Sequence, residues 1–593
     1  MAIRTLDDDF RRQNLLRATF QHLRSLFAGL TREERLVLVV VALLHGVGLG
    51  WGLPSSDSWD NDGVAPRDFL PGLLKTFTQG DYYTYPPLQL LLLALLTLPV
   101  TLFALARAGS LSQEAVVRSF LDPHVMTAFT VAARAMSFVQ SMGIVLVMGE
   151  LAALIAKDRR ARVYGMALAG LEVTLTYYAH TTNLDVPYLF WATLALLAFA
   201  RAKEGDAPKG LRRAAIFAAF AVATKDQAYA LFMFSIPPLA VAWLWQRRTR
   251  ARELVRELAV AVLLTFGVVL LIDGAFYNPR GFVARLRFLL GPASQDFAQY
   301  AKTLRGAAAA FADVWRSFPV HYPAVFALLF TAGVLIAIWP RRDAEGRRRD
   351  AAVALLPALG ALSFTLGFNC WARRVEERFE MPQMVLMSVY GAVALAALER
   401  WARGRSRPAR VAFGLLCSVA LLLALRQSAA VVAVMLDDPR YQVEDFLAAK
   451  LASGDGVEVY GRNVYLPRFA AGTHVWRVGP DEVGRRNPMP GIVEVEAPYG
   501  AIAQRKPRFV VVGAGFAWRY RIGRWDGDAG RVQPVSHSGN LTDTDATAFF
   551  QSLFAGTAGY REVLHARREG RVFPTIELHA SLGMQVYVFE RDR

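Results

Sequence analysis

Residues 36–63 have the sequence LVLVVVALLHGVGLGWGLPSSDSWDNDG, and this stretch decides the fold. Up to residue 53 it is almost purely apolar and has the length of a membrane span. Three carboxylates then follow, Asp57, Asp60 and Asp62. Charged groups at the mouth of a transmembrane helix are costly unless they bind a cation, pair with arginine or act as a base. The stretch therefore predicts a retained membrane anchor that carries a functional acidic loop.

The composition places the whole chain among membrane proteins. Of its 593 residues 54% are hydrophobic, the mean hydropathy is +0.27, and the apolar residues form blocks of membrane-spanning length. The net charge of +17 comes from short basic runs at the ends of these blocks. The runs are Arg11-Arg12, Lys157 to Arg162, Arg212-Arg213, Arg247 to Arg250, Arg341 to Arg349 and Arg400 to Arg410. Because such runs are typical of cytoplasmic loops, we expect no nucleic-acid partner.

Eleven apolar segments give the predicted membrane topology. They cover residues 36–53, 127–155, 163–180, 187–201, 214–224, 228–245, 257–273, 320–339, 351–369, 381–398 and 411–436. With every basic run placed in the cytoplasm, the N-terminus lies inside and the C-terminus outside. Five regions then share the outer face, namely residues 57–62, 180–185, 274–318, 369–380 and everything after about 437.

One further apolar segment, residues 86–106, follows Tyr85 and opens with two prolines. If it crossed the membrane, the basic run at 157–162 would move outside, against the other basic loops. We therefore predict a juxtamembrane helix in the outer interface, within an outer loop that covers residues 54–126. An ordinary span, with one crossing more or fewer elsewhere, is the alternative.

The chain changes character after residue 436. Apolar runs shorten to the length of strands, at 456–460, 508–512 and 584–589, and helical patches lie at 441–452 and 545–554. We predict three parts: a cytoplasmic N-terminal segment 1–35, a polytopic α-helical membrane domain 36–436 and a soluble periplasmic α/β or α+β domain 437–593.

Five motifs follow one another in an order that belongs to one family. They are Trp51-Gly52-Leu53-Pro54 with Trp59-Asp60-Asn61-Asp62, then Tyr85-Pro86-Pro87-Leu88, Ala133-Arg134-Ala135-Met136-Ser137, His180-Thr181-Thr182-Asn183-Leu184-Asp185-Val186-Pro187 and Arg378-Phe379-Glu380-Met381-Pro382. Together they resemble the GT-C superfamily of glycosyltransferases, which includes protein O-mannosyltransferases and the lipid A aminoarabinose transferase. The resemblance covers about residues 36–436 and implies a GT-C type fold of about 11 spans with outer juxtamembrane helices.

The resemblance also implies an activity. It is the inverting transfer of a sugar from a polyprenyl-phosphate donor to a glycan, lipid or protein acceptor on the periplasmic face. The Arg-rich, Lys-poor composition favours a bacterial inner membrane. Two other classes stay open: a multi-span lipid or solute transporter or flippase, and a membrane-anchored periplasmic binding protein. A transporter would more often have matched halves with broken helices, and the sequence has no such repeat.

The family pattern has an Asp-Glu pair in the first outer loop, where this chain has Asp60-Asn61-Asp62-Gly63. Counted from Trp59, Asp62 matches the catalytic acid and Asp60 is the alternative. Asp185 is a further catalytic or positioning candidate. If a divalent metal ion is the cofactor, the same three carboxylates are its candidate ligands.

The leaving group of this reaction is a lipid phosphate, which needs cations at membrane depth. The candidates are Lys225, Arg373, Arg374 and Arg378. Other site candidates are Asp57, His180, Arg134 and Tyr85. Structural alternatives exist for several of them: Asp57 as a helix cap, Arg134 as a structural residue near a helix end, and Arg373 and Arg374 as partners of Glu376 and Glu377.

Overall fold

The computed structural model describes residues 29–248, 251–295, 297–339, 351–521, 544–570 and 572–592. Most of the predicted N-terminal segment and two of the six basic runs, Arg11-Arg12 and Arg341 to Arg349, lie outside these residues, as does the end of the run Arg247 to Arg250.

Helices form most of the described chain up to residue 436. They are Arg32–Gly46, Phe69–Phe77, Leu88–Leu96, Leu98–Arg107, Gln113–Phe120, Pro123–Ala156, Arg159–Gly170, Val173–Ala179, Asp185–Glu204, Leu211–Val222, Tyr229–Met233, Ile236–Gln246, Ala251–Ile272, Pro279–Leu290, Leu304–Arg316, Phe318–His321, Val325–Ile338, Ala351–Phe364, a π-helical turn Thr365–Cys370, Glu377–Arg403 and Arg407–Leu436. Each predicted span coincides, wholly or in large part, with one of these helices or with two consecutive ones.

Six helical segments of the described chain are long and apolar enough to cross a membrane, and the protein is a multi-pass membrane protein. They are Pro123–Ala156, Asp226–Gln246, Ala251–Ile272, Ala351–Cys370, Glu377–Arg403 and Arg407–Lys450. Two bent pairs raise this number to as many as eight. Other predicted spans are shorter or broken. Residues 163–180, for example, break before Glu172, whose side chain caps the helix Val173–Ala179. Eleven crossings therefore stay a prediction.

The predicted juxtamembrane segment is one of these bent pairs. The helices Leu88–Leu96 and Leu98–Arg107 meet at an angle of 62°. Pro99 lies in the first turn of the second helix and has no N–H to continue the first one. Thr97 turns inward and donates to the carbonyl oxygen of Leu93 at 2.7 Å. Whether the pair crosses the membrane stays a prediction.

The connections between the long helices gather at two ends of the membrane domain. At one end, ion pairs join the predicted cytoplasmic loops, with Lys157 beside Glu204 and Arg160 3.6 Å from Glu33. At the other end, the acidic loop meets the residues before helix Asp185–Glu204 and the start of helix Glu377–Arg403, and Lys225 pairs with Asp185. The regions that the basic runs predict to share a face are thus together.

The C-terminal domain is an α/β domain around a mixed six-stranded sheet, which is one of the two classes predicted for it. The strands are β1 Gly456–Val459, β2 His474–Gly479, β3 Ile492–Glu496, β4 Phe509–Gly513, β5 Tyr560–Ala566 and β6 Val586–Arg591, in the order β3-β2-β1-β4-β6-β5. Strands β1 to β4 run parallel to one another, whereas β6 runs antiparallel to its two neighbours, β4 and β5. The helices are Pro439–Lys450, Ile502–Arg505, Ala514–Arg521 and Thr544–Phe554.

Two tryptophans join the acidic loop to this domain. Trp51 donates to Asp438 and Trp59 donates to the carbonyl oxygen of Leu466, both at 2.9 Å. The Arg440 guanidinium lies 3.8 Å above the Trp59 ring and binds Asp438 with two nitrogens. Gly52 has a φ of +71°, and a Cβ there would meet the Trp59 ring at 2.6 Å. The loop therefore follows one path, which is set by its contact with the C-terminal domain.

Candidate active site

Asp62 is the acid of the loop that faces a cation of the late helix Glu377–Arg403. Arg378 Nη1 donates to Asp62 Oδ2 at 2.5 Å, and His579 Nε2 lies 3.6 Å from the same oxygen. Burial raises the pKa of Asp62, but the His579 imidazole and the Arg378 charge outweigh it and hold that pKa well below its ordinary value. The Asp62 side chain is still 35% exposed, so the carboxylate is ionised and open to a ligand.

Asp60 has a different environment, although it lies only two positions away. Its side chain is fully buried and forms an ion pair of 3.0 Å with Arg134. Its second oxygen accepts the N–H of Thr182 at 2.7 Å. Arg134 also donates to the carbonyl oxygens of Leu49 and Trp51, both at 2.7 Å. Asp60 and Arg134 thus hold the first span, the acidic loop and the segment before Asp185 together.

Asp185 holds the candidate lysine. Lys225 Nζ donates to Asp185 Oδ1 at 2.7 Å, and Gln227 approaches the same oxygen at 3.4 Å. The other oxygen, Asp185 Oδ2, is buried and has no hydrogen-bond partner among the described residues. The Asp185 side chain is completely buried, and Lys225 is almost so. One acceptor of the pair therefore remains available inside the protein.

Three of the four predicted phosphate-binding cations converge on one aromatic ring. Relative to the ring centroid of Phe379, Arg378 Cζ lies at 4.5 Å, Arg374 Cζ at 4.8 Å and Lys225 Nζ at 5.8 Å. Cations at such distances are attracted by the negative face of the ring. Lys225 and Arg378 therefore lie close together, and Phe379 is their common contact.

Glu376 balances the two arginines. It accepts from Arg374 Nη2 at 2.8 Å and lies 3.0 Å from Arg378 Nε. Burial alone would raise the pKa of Glu376. The charges of Arg378 and Arg374 outweigh this effect and lower the pKa to about 2. The predicted alternative of an Arg374–Glu376 ion pair is therefore present within the site and not in a solvated loop.

The head group of Arg373 is engaged elsewhere. Its Nε donates to Gln295 at 3.1 Å, its Nη1 donates to the carbonyl oxygen of Tyr300 at 2.9 Å, and its φ of +56° marks a sharp turn. The assignment of Arg373 to the phosphate site is corrected accordingly. Its guanidinium thus holds the Gln295 side chain and the backbone at Tyr300.

The remaining candidates have structural partners. Asp57 accepts from Asn463 at 2.7 Å and from the N–H of Ser58 at 2.9 Å, so it contacts the C-terminal domain and does not cap a helix. His180 is buried between the carbonyl oxygens of Thr176 and Val47, at 2.7 and 2.8 Å.

Tyr85 is half-buried near the acidic loop. Burial, together with the Asp62 charge, raises its pKa above the ordinary value, so the phenol is neutral. It can donate a hydrogen bond but cannot supply charge.

The three carboxylates predicted as metal ligands do not form one ligand set. Each is paired with a different cation: Asp60 with Arg134, Asp62 with Arg378 and Asp185 with Lys225. Within the described part of the chain, no three His, Cys, Asp or Glu side chains are grouped so that they could hold a metal ion. In this arrangement the three carboxylates do not form a ligand set for a divalent ion.

Sequence reasoning missed His579. The residue belongs to the C-terminal domain, more than 500 positions after the acidic loop, and no motif surrounds it. Its contact with Asp62 depends on how the two domains dock, which no local pattern reveals.

No protein-family model matches the chain, and no curated protein matches it. Two solved structures are similar in fold. The crystal structure of ArnT from Cupriavidus metallidurans in the apo state has a TM-score of 0.43 and 15% sequence identity, and that of ArnT bound to undecaprenyl phosphate has 0.40 and 15%. Each comparison covers 82% of this chain and 93% of the other.

Proposed function

We propose that this protein is an inverting membrane glycosyltransferase that moves a sugar from a polyprenyl-phosphate donor to an acceptor. The reaction takes place at the end of the membrane domain that contacts the C-terminal domain. One observation carries the proposal: Lys225, Arg374 and Arg378 surround Phe379, beside the ionised Asp62. Cations gathered at one end of a helical membrane domain are what a lipid-linked phosphate leaving group requires.

The cations have donors to spare. An ammonium group has three N–H donors and a guanidinium group has five. Among the described residues, the Lys225 ammonium uses one of its three, in the hydrogen bond of 2.7 Å to Asp185. Arg374 Nε is buried and has no hydrogen-bond partner among the described residues. Buried polar groups without partners are rare and cost about 1–3 kcal/mol each. A phosphate that entered between these side chains would supply the missing acceptors.

The chemistry is a single displacement. The acceptor oxygen forms a bond to the anomeric carbon as the bond between that carbon and the phosphate oxygen breaks, and the electron pair leaves with the phosphate. Lys225, Arg374 and Arg378 stabilise the charge that develops on the leaving phosphate. The acceptor loses its proton to a base, and Asp62 is the candidate, because it is ionised, lies beside Arg378 and is 35% exposed.

The ion pair between Asp62 and Arg378 couples the two tasks. While Arg378 is bound to Asp62, the low pKa makes this carboxylate a weak base. Once the donor phosphate shares the Arg378 charge, that stabilisation of the carboxylate weakens and its basicity increases. Asp62 therefore becomes a stronger base when the donor is bound. In the absence of donor it remains a weak base and takes up few protons.

Asp185 and Asp60 have supporting roles in this scheme. Asp185 directs the ammonium of Lys225, and Asp60 fixes the path of the loop through Arg134. We place the protein in a bacterial inner membrane with the site on the periplasmic face. The acceptor is a glycan, a lipid or a protein.

The proposal is tested with purified protein in nanodiscs and a set of radiolabelled undecaprenyl-phosphate sugars. We expect release of free undecaprenyl phosphate and transfer of label when a membrane extract supplies the acceptor. A flippase would instead move the intact donor between leaflets, and a binding protein would retain it unchanged. Either of these outcomes, without cleavage of any of the donors offered, contradicts the proposal.

A further inference from the structure

A short loop of the C-terminal domain enters the membrane domain. It consists of residues 578–582 and is defined here as the insertion loop. Leu578 and Leu582 close it with an isolated β-bridge, and both are buried in the main hydrophobic core of the membrane domain. Ser581 lies 3.2 Å from the buried Tyr177 hydroxyl. The loop is thus packed like part of the helical domain, although the chain that carries it belongs to the sheet domain.

At the tip of the insertion loop, His579 bridges the two halves of the candidate site. Its backbone N–H donates to Glu377 at 2.5 Å, and its carbonyl oxygen accepts from Asn61 at 3.1 Å. Glu377 precedes Arg378, and Asn61 precedes Asp62. The backbone of one histidine therefore fixes the immediate neighbours of both members of the ion pair, and its imidazole points at Asp62 itself.

The backbone of the tip is strained. His579 and Ala580 have φ values of +50° and +55°, which place two consecutive non-glycine residues in the left-handed region. Such conformations are uncommon for non-glycine residues, and they persist where the surroundings hold them in place. His579 Nδ1 is also buried and has no hydrogen-bond partner among the described residues. The conformation that directs the imidazole towards Asp62 therefore has two energetic costs, the left-handed backbone and the unpartnered Nδ1.

We propose that His579 is a positioning residue of the active site, so that the C-terminal domain completes the catalytic machinery of the membrane domain. The imidazole holds the Asp62 carboxylate in the orientation in which it pairs with Arg378. The inference rests on the proposed glycosyl transfer and adds to it a residue, from another domain, that acts through Asp62. It also gives the C-terminal domain a role in catalysis beyond covering the site.

The kinetic test compares His579→Ala with His579→Gln, whose amide reaches about as far as Nε2. We expect His579→Ala to lower kcat by about 10- to 100-fold, the loss that is typical when a residue that orients a functional side chain is removed. KM for the transferred undecaprenyl-phosphate sugar should change less than about twofold, because the phosphate-binding cations remain. His579→Gln should restore most of kcat. His474→Ala is the matched control, since His474 is exposed in the same domain.

A mutant cycle shows whether the histidine acts through the acid. In the Asp62→Asn background, His579→Ala should cost little further activity, because effects of residues that act as a unit are not additive. Full additivity, or a His579→Ala enzyme with wild-type kcat, overturns the inference. Equal losses in the Ala and Gln variants, together with a raised KM, would indicate a merely structural loop and overturn it as well.

Hydrogen–deuterium exchange gives a readout that needs no activity. We expect Asp62→Asn to speed exchange in peptides that cover residues 578–582 by at least severalfold, whereas strand β1 at 456–459 stays unchanged. If exchange in the insertion loop does not respond, His579 and Asp62 are not coupled, even if the enzyme transfers sugar. If exchange responds but no donor is cleaved, the coupling stands and the proposed function fails.

Discussion

Arg378 donates a hydrogen bond of 2.5 Å to Asp62, across 316 positions of sequence. The contact joins the first acidic loop to the start of a late membrane helix, so acid and cation can meet only in the folded protein. Through Glu376 and Phe379 the same guanidinium is linked to Arg374 and Lys225. A phosphate that binds any of these cations changes the electrostatic field at Asp62, and this coupling underlies the predictions that follow.

The Asp62→Asn variant should fold and insert but lose most of its transfer activity. Asparagine keeps the size and hydrogen-bonding ability of the side chain but removes the charge, and loss of a general base costs about 10²–10⁴ in rate. The measurement is the initial rate of sugar transfer at saturating donor. Glu114→Gln is the control, because Glu114 pairs with Arg118 on an exposed helix surface. Wild-type activity in Asp62→Asn would remove Asp62 from the mechanism.

The main effect of Asp60→Asn should be a loss of stability of the folded protein. The Asp60–Arg134 pair is completely buried, and removing one partner of a buried ion pair costs about 3–5 kcal/mol because the other charge is left uncompensated. Thermal unfolding in detergent should therefore show a clear loss for Asp60→Asn, whereas Asp62→Asn stays near wild type. An Asp60→Asn protein of full stability but no activity would make Asp60 the catalytic acid instead.

The choice between these two acids shows what the sequence could and could not decide. The pattern of basic runs predicted which regions share one face. The motifs contain Asp62, Asp185 and Arg378, and Lys225 was a separate candidate as a cation for the leaving phosphate. Both signals depend on residue type and order alone. Whether Asp60 or Asp62 faces Arg378 depends on the path of the loop, in which Asp62 has a φ of +59° and Asp60 is held by Arg134 and Thr182.

The C-terminal domain was less accessible from sequence. Strands β1, β4 and β6 are central and strongly apolar, and each was predicted to within a few residues. Strands β2, β3 and β5 were missed; in each of them charged residues interrupt the apolar run. Arg477 of β2, for example, lies 2.5 Å from Glu494 of β3. The insertion loop was missed as well, because its role arises from contacts with the membrane domain that no local sequence pattern indicates.

Lys225→Met should weaken binding of the donor phosphate. The substitution keeps about the same side-chain length but removes the charge, and a hydrogen bond to a charged group is worth about 1.5–3 kcal/mol. We expect the affinity for undecaprenyl phosphate, measured by native mass spectrometry, to fall by at least tenfold. Lys302→Met serves as the control, since Lys302 is exposed just before helix Leu304–Arg316. Equal affinity in the two variants would remove Lys225 from the phosphate site.

Glu376 predicts a dependence of stability on pH. Its pKa is lowered from an ordinary 4.5 to about 2 in the folded protein, because the charges of Arg378 and Arg374 outweigh the effect of burial. An acid with a lowered pKa stabilises the folded state above its unfolded pKa, and this contribution is lost as the pH falls from about 4.5 to about 2. We expect the difference in Tm between wild type and Glu376→Gln to shrink over this interval. A difference that stays constant from pH 5 to pH 2.5 would contradict the ion pairing.

The orientation of the whole site follows from the basic runs and can be tested directly. We expect a reporter fused after residue 593 to be active only when it is a periplasmic one, such as alkaline phosphatase, because every basic run of the sequence was assigned to the cytoplasm. The site and the C-terminal domain lie at the same end of the membrane domain, since Arg440 stacks on Trp59 and His579 contacts Asp62. The reporter therefore also orients the active site. A cytoplasmic reporter signal would place the site on the inner face, where the lipid-linked donor would have to be used before it crosses the bilayer.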